Sequence, residues 1–96
     1  MPSLGMPHQA EVEAALLALL AERHRPISAS EAYLALGRKF DLTSELRNRL
    51  LTTAPRSEWE NIVRQAKRRL VDNGLVVKSK EDRWQLTALG KASLGL

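Results

Sequence analysis

Residues 57–73 place apolar side chains at the three-and-four spacing of one helical face. These side chains are Trp59, Ile62, Val63, Ala66 and Leu70. At about 100° per residue they form one stripe, and polar side chains fall on the opposite side. Ser57 followed by Glu60 is a capping box that starts a helix, and Gly74 suits the residue that ends one. The pattern predicts a long amphipathic helix over residues 57–73.

Two helices are predicted ahead of this stretch. Residues 8–23 are rich in Ala, Leu and Glu and repeat apolar positions at helical spacing, which predicts a core helix. Pro26 ends that helix, and Ile27 is expected in a very short strand. Residues 28–31 form a second capping box, which opens a helix over residues 29–40. Its positions available for burial are Ala32, Leu34, Ala35, Leu36 and Phe40.

A short helix, a hairpin and a final helix complete the pattern. The short helix is expected from residue 42 to residue 50 or 51, before the break at residues 52–55. Residues 75–77 and 84–86 have the character of strands, and the polar residues 79–83 between them form a loop. A terminal helix is expected over residues 88–94. Three helices followed by a β-hairpin predict a mainly α fold with a small hairpin (α+β), a winged helix-turn-helix.

Composition limits the classes of protein. With 96 residues, the chain has room for one hydrophobic core, so residues 8–96 are expected to form a single winged-helix domain behind a flexible lead-in, residues 1–7. The lack of cysteine excludes disulfides and thiolate zinc sites. No apolar run reaches the roughly 18 residues of a membrane span, and the N-terminus does not resemble a signal peptide. We therefore expect a cytoplasmic protein.

Charge is unevenly distributed along the chain. Residues 1–48 hold five Lys or Arg against six Asp or Glu, whereas residues 49–96 hold ten against five. The basic half contains the long helix and the hairpin. Segregated positive charge favours a polyanionic partner, of which double-stranded DNA is the first candidate.

The polar face of the long helix carries side chains suited to reading bases. Arginine pairs bidentately with guanine, and asparagine or glutamine with adenine. The candidate base-reading residues are Asn61, Arg64, Gln65 and Arg68. The alternative is a solvated face with helix-stabilising pairs such as Glu60 with Arg64, four residues apart.

Other basic or polar side chains are candidates for phosphate contacts. They lie at the start of the long helix, on its flanks and on the hairpin, and are Arg56, Ser57, Lys67, Arg69, Lys78, Lys80 and Arg83. Trp59 and Trp84 are expected in the core rather than stacked on bases, because both fall on apolar faces. No function is expected for His8 or His24.

Several motifs resemble the N-terminal domain of Mrr-like restriction endonucleases. Residues 40–43 (FDLT) are similar to the entry to that family's short helix, and Asn61, Val63, Ala66 and Leu70 fit the spacing of its recognition helix. Gly74-Leu75 followed by Trp84-x-Leu86-Thr87-x-x-Gly90 is similar to its wing and exit. The resemblance covers about residues 8–93. The chain differs from the family pattern at Ile62, Arg64 and Gln65.

This resemblance implies a winged-helix DNA-binding domain, usually followed by a separate nuclease domain, in a system that cuts foreign or methylated DNA. The sequence itself contains no Glu-x-Lys nuclease motif, no metal-ligand spacing, no Gly-rich phosphate loop and no nucleophile elbow. We therefore expect no catalysis by this chain alone, no cofactor and no bound metal.

The leading hypothesis is a duplex-DNA-binding domain that acts as the specificity module of an Mrr-like, modification-dependent restriction endonuclease. Helix 57–73 would enter the major groove, and the wing, residues 78–83, would contact the phosphate backbone. The expected partners are double-stranded DNA, including methylated DNA, and either a covalently linked nuclease domain or a second copy of the chain. The alternatives are a protein-interaction or dimerisation winged helix and a stand-alone small transcriptional regulator.

Overall fold

Helices and a small sheet alternate along the chain. The computed structural model describes residues 7–43, 45, 57–79 and 81–95. The elements are α1 (Gln9–Arg23), β1 (Ile27–Ser28), α2 (Ala29–Lys39), α3 (Glu58–Asp72), β2 (Val76–Lys78), β3 (Arg83–Leu86) and α4 (Ala88–Ser93). Each boundary lies within one residue of its predicted position. The short helix predicted over residues 42–51 lies largely outside the described residues, and so do residues 1–6 of the predicted lead-in.

Side-chain caps fix the helix starts. The Ser57 hydroxyl accepts a hydrogen bond from the Glu60 backbone N–H at 3.0 Å, and the Ser28 hydroxyl accepts one from Glu31 N–H at 3.2 Å. Such caps contribute about 1 kcal/mol each. Both predicted capping boxes were half correct, since only the serine of each makes its capping bond. The Glu31 carboxylate binds the guanidinium groups of Arg25 (2.8 Å) and Arg23 (3.2 Å), because the end of α1 brings two cations beside it.

The core lies between α1, α3 and the sheet. Helix α3 buries Trp59, Val63, Ala66 and Leu70, as predicted, while Ile62 is half-buried at the edge of the stripe. Full burial of one large apolar side chain contributes roughly 1.5–3 kcal/mol, so this stripe anchors the helix. Trp59 and Trp84 are both core residues, which confirms the prediction.

Helix α2 buries fewer side chains than its sequence predicts. Ala32 and Leu36 are in the core, and Phe40 is partly buried against it, with its ring edge-on to Trp59 at 6.2 Å between centroids. Leu34 was expected to be available for burial but is 44% exposed. The reason is geometric, since only one side of an eleven-residue helix faces α1 and α3.

The hairpin belongs to a three-stranded antiparallel sheet of order β1-β3-β2. The very short strand expected at Ile27 is present, and Ile27 pairs with Trp84. A two-stranded hairpin was predicted, and β1 adds the third strand. Alternation along the strands gives the sheet an inner face toward the helices and an outer face. The inner face carries Ile27, Val76, Lys78, Trp84 and Leu86, and the outer face carries Ser28, Val77, Arg83 and Gln85.

The Trp84-x-Leu86-Thr87-x-x-Gly90 motif closes the hairpin onto α4. The Thr87 hydroxyl donates to the Gly74 carbonyl at 2.6 Å and accepts from Gly90 N–H at 3.0 Å. A Cβ at Gly90 would lie 2.2 Å from the Leu75 carbonyl oxygen, so only glycine fits there. The motif therefore holds α4 against the turn that follows α3, through two hydrogen bonds of Thr87 and the close approach of Gly90 to Leu75.

The result is a mainly helical α+β fold of winged-helix-like type. None of the helices that the structure describes is long and apolar enough to cross a membrane.

Candidate nucleic-acid interface

The outward face of α3 carries the four side chains predicted to read bases. Arg64, Gln65 and Arg68 are exposed, and Asn61 is half-buried near the start of the helix. The apolar stripe occupies the other side of α3 and fixes its rotation. These four residues therefore lie on one surface that points away from the core.

Arg64 is held by a residue that the sequence analysis did not identify. Its Nε donates a 2.8 Å hydrogen bond to the hydroxyl of Tyr33 on α2. The pair of Glu60 with Arg64, which belonged to the alternative of a solvated face, does not form between these two described residues. The signal in the sequence was weak: Tyr33 adjoins the buried Ala32, and its ring is apolar while its tip needs a polar partner.

Tyr33 is itself fixed against α3 through its backbone. The indole Nε1 of Trp59 donates to the Tyr33 carbonyl at 3.0 Å, and Trp59 is 1% exposed. The Tyr33 ring is partly buried against the core. Two hydrogen bonds therefore join this residue to α3, one from the buried side of the helix and one from its exposed side.

Lys67 connects α3 with the sheet. Its Nζ lies 5.7 Å from the centroid of the Trp84 ring, a cation–π distance. Burial lowers the pKa of Lys67, and the nearby charges of Lys78, Arg64 and Arg68 lower it further. Those three cations are thus close enough to repel the Lys67 ammonium.

We call Arg64, Lys67, Arg68 and Lys78 the basic cluster. Lys78 belongs to it because it pairs with Trp84 in the sheet register, so both side chains lie on the inner face. The cluster therefore spans from the outward face of α3 to the first strand of the hairpin. A concentration of like charge of this kind attracts anions, and within the described residues one carboxylate, that of Asp82, lies close enough to offset part of it.

One acidic residue lies beside the basic cluster. Asp82 is 3.7 Å from Lys78 Nζ, and its charge raises the pKa of Lys67. Both partners of this ion pair are largely exposed, so it contributes little to stability. Asp82 has a left-handed backbone (φ 59°), and its N–H donates to the Ser79 carbonyl at 3.0 Å in the hairpin loop.

Other predicted phosphate contacts are not brought into this cluster. Arg69 lies two residues beyond Lys67 on α3, hence about 160° away around the helix, on the opposite flank. Arg83 is on the outer face of the sheet, opposite Ser28. Ser57 is buried, and its hydroxyl is used as the cap of α3. Arg56 and Lys80 lie outside the described residues.

The described residues offer no metal centre. Within residues 7–43, 45, 57–79 and 81–95, no three His, Asp or Glu side chains are grouped so that they could hold a metal ion. The chemistry of the surface around α3 is that of hydrogen-bond donors and fixed positive charge.

Comparison with known proteins identifies the family. The family model for the Mrr N-terminal domain matches residues 10–95, nearly the whole chain. No curated protein and no solved structure matches this chain. The family match associates the chain with Mrr-like restriction systems and agrees with the resemblance carried by the motifs at Asn61 and at residues 84–90. This winged-helix-like chain therefore belongs to the Mrr N-terminal domain family.

Proposed function

We propose that this domain binds duplex DNA and selects the target of an Mrr-like restriction endonuclease. The observation that carries the proposal is the basic cluster, because it continues the outward face of α3 onto the hairpin. Winged-helix proteins use a helix in the major groove and a neighbouring hairpin on the backbone. The cluster gives the two elements one continuous cationic surface.

The residues divide into two roles. Arg64, Gln65 and Arg68 are exposed on α3 and carry the donors that recognise guanine and adenine edges, with Asn61 nearer the helix start. Lys67 and Lys78 lie where the helix approaches the hairpin, and we assign them to phosphates. Phosphate contacts set the position of the protein, while base contacts set its sequence preference.

Cleavage would belong to a different domain. The matched family is an N-terminal domain and not a catalytic one. On this proposal the chain supplies recognition to a nuclease domain that is linked to it or associated with it. Methylated DNA is included among the proposed targets, on the strength of the family.

Fluorescence-anisotropy titration against a duplex at two salt concentrations tests the proposal. Each phosphate neutralised contributes about −0.9 to the slope of log K against log salt, so Lys67 and Lys78 together predict a slope of about −2 or steeper. Arg68→Ala and Gln65→Ala should weaken binding with an unchanged melting temperature, because neither side chain is in the core. Lys91→Ala on α4 is the matched control, since Lys91 lines a cleft with His24 and Arg25 after α1 and with Gln85, and none of the residues of the basic cluster lines that cleft. Absence of binding at low salt would refute the proposal.

A selection from random duplexes, run in parallel with unmodified and methylated pools, identifies the target. Enrichment of a common sequence supports the specificity role. Enrichment confined to the methylated pool assigns modification dependence to this domain. Failure to enrich any sequence, with the fold and low-salt binding intact, would remove the specificity role and leave sequence-independent DNA binding.

A further inference from the structure

The hydrogen bond between Tyr33 and Arg64 has a consequence for what α3 reads. Arg64 is an exposed residue on a long side chain, which would ordinarily sample many rotamers. Its Nε is instead bonded to the Tyr33 hydroxyl at 2.8 Å. Tyr33 is anchored in turn, because its ring packs on the core and its carbonyl accepts from the buried Trp59. The guanidinium plane is therefore held by a rigid support.

This hydrogen bond leaves a specific part of the guanidinium available. Arginine has five N–H donors in a planar fork, and the Nε–H is the one that Tyr33 engages. The Nη1 and Nη2 groups remain, and they point along the end of the side chain. Two parallel donors at the end of a fork match the O6 and N7 acceptors of guanine in the major groove.

The choice of acceptor also preserves the charge of Arg64. A hydroxyl is neutral, whereas a carboxylate at the same place would neutralise the guanidinium. Glu60 is one turn away on the same helix, yet Arg64 bonds to Tyr33 on α2 instead. Among the residues that the structure describes, no acidic partner engages Arg64. The side chain is thus oriented without losing its attraction for an electron-rich base edge.

We infer that Tyr33 is a positioning residue that presents the Nη1 and Nη2 groups of Arg64 to a guanine in the major groove, so that this domain requires guanine at one position of its target. The inference rests on the proposed function and specifies the base that the surface recognises.

Tyr33→Phe tests this directly, because it keeps the ring, the backbone carbonyl and the packing and removes only the hydroxyl. Duplexes carrying guanine or each other base at the selected position are titrated against four proteins: wild type, Tyr33→Phe, Arg64→Ala and the double variant. Tyr33→Phe should lower the preference for guanine by about 2- to 10-fold, the effect of one hydrogen bond. Arg64→Ala should abolish the preference, and the double variant should match Arg64→Ala.

Two controls separate positioning from a structural effect. The salt dependence and melting temperature of Tyr33→Phe should equal those of the wild type, since phosphate contacts and core are retained. Arg68→Ala, on the same face of α3, should change preference at a different base pair and add to the effect of Tyr33→Phe. Restored free rotation of Arg64 is detected without DNA, as faster exchange of its Nε–H in Tyr33→Phe by ¹⁵N NMR.

The outcomes distinguish the inference from the proposal on which it rests. If the wild type binds and prefers guanine but Tyr33→Phe keeps the full preference, Tyr33 does not position Arg64 and the inference is overturned. If the wild type binds without a guanine preference that depends on Arg64, the inference is overturned while DNA binding stands. If the wild type binds no duplex, both are overturned.

Discussion

The ammonium of Lys67 lies over the face of the Trp84 ring, 5.7 Å from its centroid, and so joins α3 to the central strand of the sheet. The Trp84 ring contacts the ammonium on one side. The positive charges of Lys78 and Arg64 are near enough to lower the pKa of Lys67. A cation–π contact of this kind stabilises the fold only weakly, and on the proposed function the same charge contacts a DNA phosphate. A substitution of Lys67 should therefore change DNA affinity without a comparable change in the free energy of unfolding.

Lys67→Met should weaken DNA binding with little effect on stability. Methionine keeps an apolar stem on Trp84 and adds a sulfur–aromatic contact, while an exposed cation–π interaction is worth only about 0.5–1 kcal/mol. The slope of log K against log salt should become less steep by about 0.9. Lys67→Arg is the charge-preserving control and should keep the slope. An unchanged slope for Lys67→Met would remove Lys67 from the interface.

Lys78 and Arg83 test which face of the hairpin meets DNA. Both are exposed cations on adjacent strands, but Lys78 is on the inner face with the basic cluster and Arg83 is on the outer face. Lys78→Ala should reduce the salt slope by about 0.9, and Arg83→Ala should change it much less. The two anisotropy titrations form a matched pair. A larger effect at Arg83 would mean that the sheet meets DNA by its outer face.

Asp82→Asn should strengthen binding to DNA. The substitution removes the negative charge beside Lys78 and Lys67, and asparagine tolerates the left-handed backbone that Asp82 adopts. We expect affinity to rise about 2- to 5-fold at low salt and the difference to shrink as screening increases. Glu81→Gln, at the neighbouring exposed position, is the control for a general charge effect. Equal gains from both variants would indicate long-range attraction without a role for the basic cluster.

Gly90→Ala should destabilise the domain through a backbone clash. The added Cβ would sit 2.2 Å from the Leu75 carbonyl oxygen, and neither group can move without separating α4 from the end of α3. Overpacking of this kind costs about 1–3 kcal/mol or more. Gly95→Ala provides the comparison: Gly95 has φ +78° but no atom within 4 Å of the added carbon, so we expect only the backbone cost of about 1–2 kcal/mol. Urea denaturation measures both, and a smaller loss at Gly90 would contradict the packing account.

The cation pair around Glu31 predicts a loss of stability in acid. The hydrogen bond from Arg25 holds the pKa of the Glu31 carboxyl below its usual range, so its contribution to stability is present above the unfolded pKa of about 4.3. It is lost as pH falls through the lower pKa of the folded state. Melting temperatures of wild type and Glu31→Gln should therefore converge in that range. A gap that stays constant with pH would show that the charge on Glu31 is irrelevant.

Local patterns predicted the elements but not their partners. The α3 stripe, its Ser57 cap and both buried tryptophans follow from helical and strand periodicity, which depends on near neighbours in sequence. The bond from Arg64 to Tyr33 joins residues 31 positions apart and depends on how α2 crosses α3. For the same reason, the sequence could identify the cations of the hairpin as candidate phosphate contacts. That Lys78 and Arg83 lie on opposite faces of the sheet became clear only from the strand register.

Ser28 occupies two structural positions at once. Its backbone pairs with Arg83 at the start of β3, and its hydroxyl caps the first turn of α2. The hairpin and the helix that carries Tyr33 are therefore joined through the two residues of β1, the second of which is also the cap of α2. A tilt of the hairpin toward a phosphate backbone would pull on the start of α2, and five residues later on Tyr33. Changes in the hairpin that alter its seating should shift base preference as well as affinity, even where the altered side chain touches no base.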